Sequence, residues 1–336
     1  MRAHKLLIVT ERFDLTSDAV ILKLREMGQL PVRINFEDIP LETNFSLKLE
    51  GRVSIGQIHT KNRDARLEDI RSVLWRWSNH APIPAHLPLE QIAFGSDESC
   101  QALNGLWANL HCYWMNFPGN SQAARWKGAQ LKRAAELGFE IPRSLITSQP
   151  DAVRIFYEQC SGQIVFKAMG NSGLKLVSDP AEEKSPSSVQ GICTTLIKEA
   201  DLADHLFEIA NSPCLFQQFI EKHKEFRVTI IGDEIFVVEI QSDQQVRLPL
   251  NWYANDTSIS LKPGTLPPDI AGRCVNFARD YGLNFAMIDL ILTSDGRYVF
   301  LELDPSGQCL LLQQWVPELK MIDAVASCLL RGNPLS

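Results

Sequence analysis

The sequence predicts a mixed α/β fold, and three local patterns point to this class. Residues 5–10 form an apolar run typical of a buried strand. Residues 17–27 show helical apolar spacing that ends at Gly28, and residues 70–77 read as another strand. Because a strand, a helix and a further strand follow one another, we expect the chain to open with an α/β domain.

The chain has 336 residues, which is enough for two or three domains. A Pro-Gly-Asn sequence at residues 118–120 marks a boundary near residue 118. A helix is predicted next over residues 121–137, and an apolar connector at residues 215–221 leads into two hairpins. We therefore predict an N-terminal α/β domain, a central subdomain and a C-terminal subdomain, over residues 1–118, 119–215 and 216–336.

Composition and charge exclude several classes of protein. The 45% apolar and 22% charged residues are ordinary for a globular protein, and a net charge of -7 argues against a general nucleic-acid binder. No apolar run approaches the roughly 20 residues that span a bilayer, so we expect a cytoplasmic protein without a membrane partner. The eight cysteines include no C-x-x-C pair, which leaves no visible zinc knuckle or redox dithiol.

The second hairpin carries acidic residues in a pattern that suggests chemistry. Apolar residues alternate on both sides of Asp295-Gly296, which is a strong hairpin signal. If these two residues form the whole loop, Asp289 stands across from Glu302, with Cβ atoms about 5 Å apart. Asp304 lies two residues beyond Glu302 and so projects from the same face, whereas Leu301 and Leu303 would face the other way. Three carboxylates are thus expected on one surface.

Like charges placed opposite one another in a sheet are unfavourable unless a cation compensates them. Oxygen ligands of this kind suit Mg²⁺ or Mn²⁺, and three acids could hold one or two ions bound to nucleotide phosphates. The alternative is a solvated acidic face, because a slip of one residue in the pairing would disperse the cluster.

Two lysines lie in settings that suit phosphate binding. Lys167 ends an apolar strand immediately before a loop of small residues that includes Gly170 and Gly173, and main-chain N–H groups of such a loop can close over phosphates. The loop does not match a P-loop, and its alternative is a plain turn. Lys127 is predicted on the helix at residues 121–137, where the alternative is a solvated helix face.

The apolar connector reads as a hinge beside a cleft. Its main chain at Gln217, Gln218, Phe219 and Ile220 could bond the edge of an adenine ring. Glu225 could accept hydrogen bonds from ribose hydroxyls, and Arg227 could reach phosphate oxygens. The alternative is a surface ion pair at the start of a strand.

Taken in order, this series of features resembles the ATP-grasp ligases. Within that superfamily the chain is most similar to the graspetide (microviridin-type) peptide ligases, whose ATP-binding half resembles RimK-type ligases. The stretches that carry the resemblance are residues 5–10, 127–142, 225–233, 288–290 and 300–308. The resemblance implies an ATP-grasp fold behind an N-terminal pre-ATP-grasp α/β domain.

The resemblance also implies roles for individual residues. It places Gln218 on the adenine side and Glu225 at the ribose. Lys127 and Lys167 would contact phosphates, and Lys167 and Arg227 would neutralise charge during transfer. The implied metal ligands, for two Mg²⁺ ions bound with ATP, are Asp289, Glu302 and Asp304.

Three positions depart from the family pattern. The metal motif usually reads Glu-x-Asn, and here it reads Glu302-Leu303-Asp304. The hinge often carries Gln-Glu where this chain has Gln217-Gln218. Residues 74–78 replace a Trp-Tyr-Arg-Arg-like stretch of relatives, so recognition of the peptide partner is expected to differ.

The implied activity is the activation of Asp or Glu side chains of a ribosomal precursor peptide as acyl phosphates. Capture by Ser, Thr or Lys would then give ester or amide rings. Two alternatives stay open, namely a RimK-like ligase that adds an amino acid and a non-catalytic nucleotide-binding protein. The resemblance further implies a precursor with a leader, held near Trp252, and a homodimer.

Overall fold

A computed structural model describes residues 5–76, 87–170, 173–175, 189–191, 194–242 and 259–332. Its N-terminal part contains seven strands and two helices: β1 (Lys5–Thr10), α1 (Leu15–Glu26), β2 (Val32–Asn35), β3 (Asn44–Glu50), β4 (Val53–His59), β5 (Asp64–Arg66), β6 (Ile70–Trp75), α2 (Leu89–Ala108) and β7 (Tyr113–Met115). Four of the strands form a parallel sheet in the order β2-β1-β6-β7, and β3, β4 and β5 form a separate antiparallel sheet. The predicted strand, helix and strand at the start of the chain are confirmed.

The middle of the chain supplies a second sheet. Its elements are α3 (Pro118–Ala124), α4 (Lys127–Glu136), β8 (Ser144–Thr147), α5 (Pro150–Gln159), β9 (Ile164–Lys167), β10 (Gly173–Lys175), β11 (Val189–Gly191), β12 (Thr195–Ile197), α6 (Glu199–His205) and β13 (Cys214–Gln218). Four strands form an antiparallel sheet in the order β12-β9-β13-β8, while β10 and β11 pair with each other. The predicted boundary between residues 215 and 216 lies inside β13.

The last third of the chain forms the largest sheet. Its elements are β14 (Lys224–Ile231), β15 (Glu234–Ser242), β16 (Ile259–Pro263), α7 (Pro268–Asp280), β17 (Phe285–Leu292), β18 (Tyr298–Asp304), α8 (Cys309–Trp315) and α9 (Met321–Arg331). The strand order is β16-β15-β14-β17-β18, with antiparallel pairing throughout. Short 3₁₀ helices lie at Phe36–Asp38, Leu67–Asp69, Leu206–Asn211 and Pro317–Leu319.

Both faces of the last sheet are buried. One face packs with α8 and α9 against α1 and the N-terminal sheet, in a core that includes Ile8, Met287 and Val325. The other face packs on α4 and α7 around Phe277 and Phe300. Helix α4, predicted within the central subdomain, thus lies on the C-terminal sheet, where it brings its first residues to β18.

The helix predicted over residues 121–137 is two helices. Helix α3 ends at Ala124, and α4 begins at Lys127, because Trp126 between them has an extended backbone with φ -70° and ψ 96°. Lys127 is therefore the first residue of a helix, and it does not lie on the face of one long helix as predicted.

The loop of the second hairpin also differs from the prediction. Thr293 pairs with Arg297, so three residues lie in the loop, and Gly296 adopts the positive φ of 88° that such a loop requires. The expected two-residue loop is wrong. A bulge between Asp289 and Leu290 then shifts the register, so Asp289 still pairs with Glu302 as predicted. The loop and the bulge compensate each other.

Side chains of the N-terminal part hold the segment that follows β18. The buried Arg76 donates to the main-chain oxygens of Ser306 at 3.0 Å and of Gly307 at 2.8 Å. The amide of Asn116 donates to the oxygens of Pro305 and Phe285, both at 2.8 Å. The position of this segment thus depends on side chains of the N-terminal part. None of the described helices has the length and apolarity needed to cross a membrane.

Candidate active site

A cavity of about 370 Å³ lies between the central sheet and the C-terminal sheet. This volume is within the usual range for small-molecule sites. The predicted nucleotide contacts that line it are Lys167, Gln217, Gln218, Phe219, Ile220 and Glu225. The apolar side chains of Val165, Ile291 and Leu301 also line the cavity. Residues predicted from three separate stretches of sequence therefore meet at one cavity.

A bidentate ion pair lies on the sheet beside this cavity. Arg227 on β14 is directly paired with Asp289 on β17, and its Nε and Nη2 atoms donate to the two carboxylate oxygens at 2.7 and 2.6 Å. Burial alone would lower the pKa of Arg227, but the charge of Asp289 and its hydrogen bonds outweigh burial and raise it. Arg227 is therefore a fixed positive charge.

The second carboxylate, Glu302 on β18, has a lysine partner. Lys127 Nζ donates to Glu302 Oε2, and both side chains are at least half buried. The charges of Lys127 and Lys167 outweigh the effect of burial and hold the pKa of Glu302 at about 2. Burial lowers the pKa of Lys167 itself, although the charge of Glu302 opposes that change. Glu302 is thus ionised at all working pH values.

The amide of Gln130 explains why Lys127 reaches Glu302. Gln130 is buried on α4, one turn after Lys127, and its Nε2 donates to the oxygen of Leu303 at 2.7 Å while its Oε1 accepts from the Leu303 N–H at 3.0 Å. These two bonds fix the start of α4 against β18. A polar side chain on the buried face of an amphipathic helix is the sequence signal for this contact, and the contact was not predicted.

Asp289 titrates in a different range from Glu302. Burial raises the pKa of Asp289 to about 6, against the attraction of Arg227, and the negative charge of Glu302 adds to the rise. The two carboxylates lie on adjacent strands but have different pKa values, because two lysines lie near Glu302. Such a divergence of neighbouring pKa values is typical of functional sites.

Asp304 does not join the other two carboxylates. It is exposed, and it accepts a hydrogen bond at 2.9 Å from the N–H of Ser306, two residues further along the chain. Within the described ranges, no three His, Cys, Asp or Glu side chains are close enough to hold one metal ion. The strand pairing of Asp304 with Met287 keeps Asp304 on the same face of the hairpin as Asp289 and Glu302, as predicted. A metal role for Asp304 stays a prediction.

The remaining predicted contacts differ in how well they are fixed. Glu225 faces the cavity and accepts from Lys222 Nζ at 2.7 Å, a partner that the sequence pattern did not indicate. Gly170 is exposed, and a Cβ added there would meet no atom within 4 Å, so space does not require glycine at this position. Gly173 begins β10 and pairs with Gly191. The rest of the glycine loop, residues 171–172, and the positions of Trp77 and Trp252 lie outside the described residues.

The hairpin bulge also changes the face of Leu301. It was expected to point away from the carboxylates, whereas it lines the cavity, because the extra residue at the bulge interrupts the alternation of β18. Leu303 does face the opposite core, as expected.

The donor atoms present fit Mg²⁺ in kind. Asp289 and Glu302 offer carboxylate oxygens, which are the protein ligands that Mg²⁺ prefers, and Mg²⁺ commonly uses one or two carboxylates together with substrate phosphates. Lys127, Lys167 and Arg227 supply the positive charge that such phosphates would need. The cluster therefore fits a nucleotide carried with a divalent ion.

Known proteins resemble this chain in sequence and in fold. Residues 5–121 match the family model of the MvdD pre-ATP grasp domain. The macrocyclase MdnC from Microcystis aeruginosa MRC, solved with the precursor peptide MdnA, is 26% identical with a TM-score of 0.83, over 97% of this chain and 99% of MdnC. The chain is an ATP-grasp ligase with an MvdD pre-ATP-grasp domain.

Further solved structures support the fold of this ATP-grasp ligase. Macrocyclase MdnB from the same organism is 27% identical with a TM-score of 0.78, over 97% of this chain and 99% of MdnB. A RiPP-associated ATP-grasp ligase from Chryseobacterium gregarium, in complex with ADP and with leader and core peptides, has a TM-score of 0.84 at 23% identity, over 99% of this chain and 100% of that one. A search of curated proteins gave no match. The predicted fold class and enzyme class are confirmed.

Proposed function

We propose that this ATP-grasp ligase activates Asp or Glu side chains of a ribosomal precursor peptide and joins them to Ser, Thr or Lys side chains of the same peptide. The observation that carries the proposal is the cluster of Lys127, Lys167, Arg227, Asp289 and Glu302 beside a cavity of about 370 Å³ that Lys167 lines. The likeness to macrocyclases over nearly the whole chain supports the choice of a peptide substrate.

The residues divide into a base end and a phosphate end. Gln217, Gln218, Phe219 and Ile220 would contact the base, and Glu225 the ribose. Lys167 lies two residues beyond Val165 on β9, about 7 Å further along the strand, which would place it toward the phosphates. The charged cluster also lies near Lys167, so one bound ATP could contact both the base end and the phosphate end of the site.

The metal would be held by Asp289 and Glu302, with Asp304 as a further ligand. When bound, Mg²⁺ would neutralise charge on the phosphates of ATP. Arg227 orients Asp289 and places a positive charge near it, and Lys127 does the same for Glu302. Two ions remain our proposal for this site.

The proposed reaction has two balanced steps. An oxygen of the substrate carboxylate attacks the γ-phosphorus of ATP, the bond to the β–γ bridging oxygen breaks, and ADP leaves with that electron pair. A hydroxyl or amine of the peptide then attacks the acyl carbon, the carbon–oxygen bond to phosphate breaks, and inorganic phosphate leaves while the nucleophile loses its proton. Lys127, Lys167 and Arg227 would stabilise the negative charge on the transferred phosphoryl group.

The peptide partner is proposed to carry a leader segment, and the chain is proposed to divide at residues 118 and 215. Leader and core peptides are present in the complex of the Chryseobacterium gregarium ligase, and ADP and Mg are present in the ligase PsnB with a minimal precursor. These structures support the use of ATP, Mg²⁺ and a peptide.

Mass spectrometry tests the proposal. The chain is incubated with ATP, Mg²⁺ and a precursor peptide encoded beside it, and the expected result is the loss of one water per ring together with ADP formation. Glu302→Gln should abolish both, whereas Lys132→Met, on the exposed side of the same helix as Lys127, should retain both. Addition of a free amino acid to the peptide would instead identify a RimK-like ligase. ADP release without any change in peptide mass would contradict ring closure.

A further inference from the structure

A second cavity, the arginine cavity, has a volume of about 710 Å³, lies in the N-terminal part of the chain and shares no lining residue with the proposed nucleotide cavity. Arg25 of α1, Arg33 of β2 and Arg63 of the turn between β4 and β5 line it. Asp18 is the one acidic residue among its described lining residues. Three arginines against one aspartate leave two uncompensated positive charges, on a chain whose net charge is -7. The arginine cavity therefore differs in charge from the molecule as a whole and suits an anion.

The three arginines differ in how many of their hydrogen-bond donors are used. Arg33 is engaged in an ion pair with Asp18. Arg63 uses one N–H group, which donates to the main-chain oxygen of Leu30 at 3.2 Å. Arg25 makes no hydrogen bond or ion pair with any of the described residues. Because a guanidinium has five N–H donors, Arg25 and Arg63 retain most of their donors for a ligand.

Local structure holds the main chain of both arginines in place at the cavity. Arg25 lies in the last turn of α1, a helix that is packed into the core through Val20 and Leu24. The turn that carries Arg63 is closed by Thr60, whose hydroxyl donates to the main-chain oxygen of Arg63 at 2.7 Å and accepts from its N–H at 3.1 Å. Because the main chain is fixed on both sides of the cavity, a ligand would have to order little more than the two arginine side chains.

The arginine cavity also has an apolar wall. Ile21, Leu22, Pro31 and Val32 line it, and Leu22 is 59% exposed. A small inorganic anion would leave this apolar surface uncovered, and an exposed ion pair alone is worth less than about 1 kcal/mol. An occupant with both carboxylates and aliphatic side chains would contact both parts of the wall. A peptide that contains Asp or Glu has this chemistry.

Helix α1 connects the arginine cavity to the proposed active site. Thr16, in the first turn of α1, donates its hydroxyl proton to Gln308 Oε1 at 2.7 Å, and Gln308 lies in the segment that follows β18. Thr16 and Arg25 are nine residues apart on this helix, which is about 14 Å along its axis. About four extended residues span this distance. A peptide bound along α1 could thus reach the active site within a short stretch of its own chain.

We infer that the arginine cavity holds an acidic segment of the precursor peptide, with carboxylates bound by Arg25 and Arg63 and an aliphatic side chain against Leu22. This inference rests on the proposed function, because a peptide that is activated at Asp or Glu side chains must carry carboxylates. The carboxylates held here are not the reacting ones, since no residue of the proposed metal pair or of the nucleotide cavity lines this site. The arginine cavity would thus keep the precursor attached while another part of it reacts.

Fluorescence polarisation of the full chain with two labelled hexapeptides tests the inference. The acidic probe is fluorescein-Asp-Leu-Glu-Leu-Asp-Glu, and in its uncharged counterpart Asn and Gln replace Asp and Glu. We expect the acidic probe to bind about ten times more tightly or better, the gain typical of a charge-assisted hydrogen bond. The double variant Arg25→Gln with Arg63→Gln should bind the acidic probe about ten times more weakly than the wild type. It should bind Mg-ADP as the wild type does, because it leaves the nucleotide cavity unchanged.

The double variant Arg52→Gln with Lys132→Gln is the matched control. It removes the same total charge from two exposed positions that line neither cavity, and it should bind the acidic probe as the wild type does. Equal losses in the two double variants would show attraction to bulk charge and overturn the inference, as would equal binding of both probes to the wild type. Should Arg25→Gln with Arg63→Gln not fold, Asn62→Glu adds a negative charge at an exposed position of the wall and should weaken the acidic probe instead.

Competition with the precursor encoded beside the chain identifies the occupant. The unlabelled precursor should displace the acidic probe, whereas free glutamate at the same concentration should not. Equal displacement by glutamate would identify a site for small carboxylates and overturn the inference, as would failure of the precursor to displace the probe. Ring closure measured by mass spectrometry reports separately on the proposed function. If rings form although the probe does not bind, only the docking site fails; if the precursor displaces the probe but gives neither rings nor ADP, only the proposed function fails.

Discussion

Arg227 and Asp289 are joined by two parallel hydrogen bonds of 2.7 and 2.6 Å across adjacent strands of the C-terminal sheet. Their side chains are 23% and 12% exposed, so the pair is shielded from solvent and weakly screened by salt. Such a fork fixes the direction of both groups. The geometry orients one carboxylate of the proposed metal pair, and the same interaction would supply a positive charge for the proposed phosphoryl transfer.

Loss of this pair should destabilise the fold. Arg227→Met leaves Asp289 buried without its counter-charge, which typically costs about 3 to 5 kcal/mol of unfolding free energy. Urea denaturation measures the change. The double variant Arg227→Met with Asp289→Asn should recover part of it, because the uncompensated carboxylate is gone. A cost below about 1 kcal/mol for Arg227→Met alone would show that water solvates Asp289 in its place.

Lys127 should contribute directly to nucleotide binding. We expect Lys127→Met to weaken Mg-ADP binding about tenfold or more, since it removes a charged contact worth about 1.5 to 3 kcal/mol. Lys132→Met is the matched control: it changes the same residue type on α4, but its side chain is 81% exposed. Titration calorimetry should show that Lys132→Met binds as the wild type does. Equal losses in both variants would point to bulk charge and not to a site.

Local patterns predicted much of the fold from sequence. The two hairpins after the connector and the pairing of Asp289 with Glu302 are both confirmed. These features depend on alternation and turn chemistry, which neighbouring residues determine. The prediction of a two-residue loop in the second hairpin was wrong, because the loop comprises residues 294–296. The bulge on β18 compensates for this extra loop residue, and a bulge leaves no clear trace in the alternation pattern.

Contacts between distant parts of the chain were not predictable in the same way. The roles of Gln130 and Arg76 depend on which main-chain groups the tertiary fold brings to them. The candidate functional residues could be named from the sequence. Their contact partners could not, because these depend on how the sheets pack together.

The interface between the N-terminal part and the segment after β18 should depend on Arg76. Arg76→Met removes the donors for Ser306 and Gly307 and leaves Asp14 without its charged partner at 3.2 Å. We expect a loss of about 3 kcal/mol or more in unfolding free energy. Arg71→Met, at an exposed position of β6, the strand that ends just before Arg76, should change it by less than about 0.5 kcal/mol. Similar small effects for both would mean that other contacts hold this segment.

Gly307 is required by close packing. A Cβ at this position would overlap the sulfur of Met287, so Gly307→Ala should destabilise the chain by about 1 to 3 kcal/mol through overpacking. Met287→Ala in the same chain should relieve the clash, and the two changes together should cost less than their sum. Thermal unfolding of the single and double variants gives this coupling. Additive costs would show that the clash is avoided by movement of the main chain.

The raised pKa of Asp289 predicts how stability varies with pH. Its pKa of about 6 in the folded chain exceeds the ordinary value of 3.8, so the folded state binds more protons than the unfolded state between these values. Ionisation of Asp289 therefore opposes folding, and its contribution to stability falls as the pH rises from about 4 to about 6. The fall amounts to at most about 3 kcal/mol, because a pKa difference of one corresponds to about 1.36 kcal/mol of free energy.

Urea denaturation of the wild-type chain and of Asp289→Asn across this pH range isolates that contribution. The stability of the wild type relative to the variant should fall with increasing pH and level off above about pH 7. Glu302 does not confuse the result near pH 6, because its pKa of about 2 keeps it ionised throughout. If the difference instead rises with pH, the attraction of Arg227 outweighs burial and the pKa of Asp289 is lowered. The direction of this slope thus reports whether the carboxylate is ready to release a proton when a divalent ion binds.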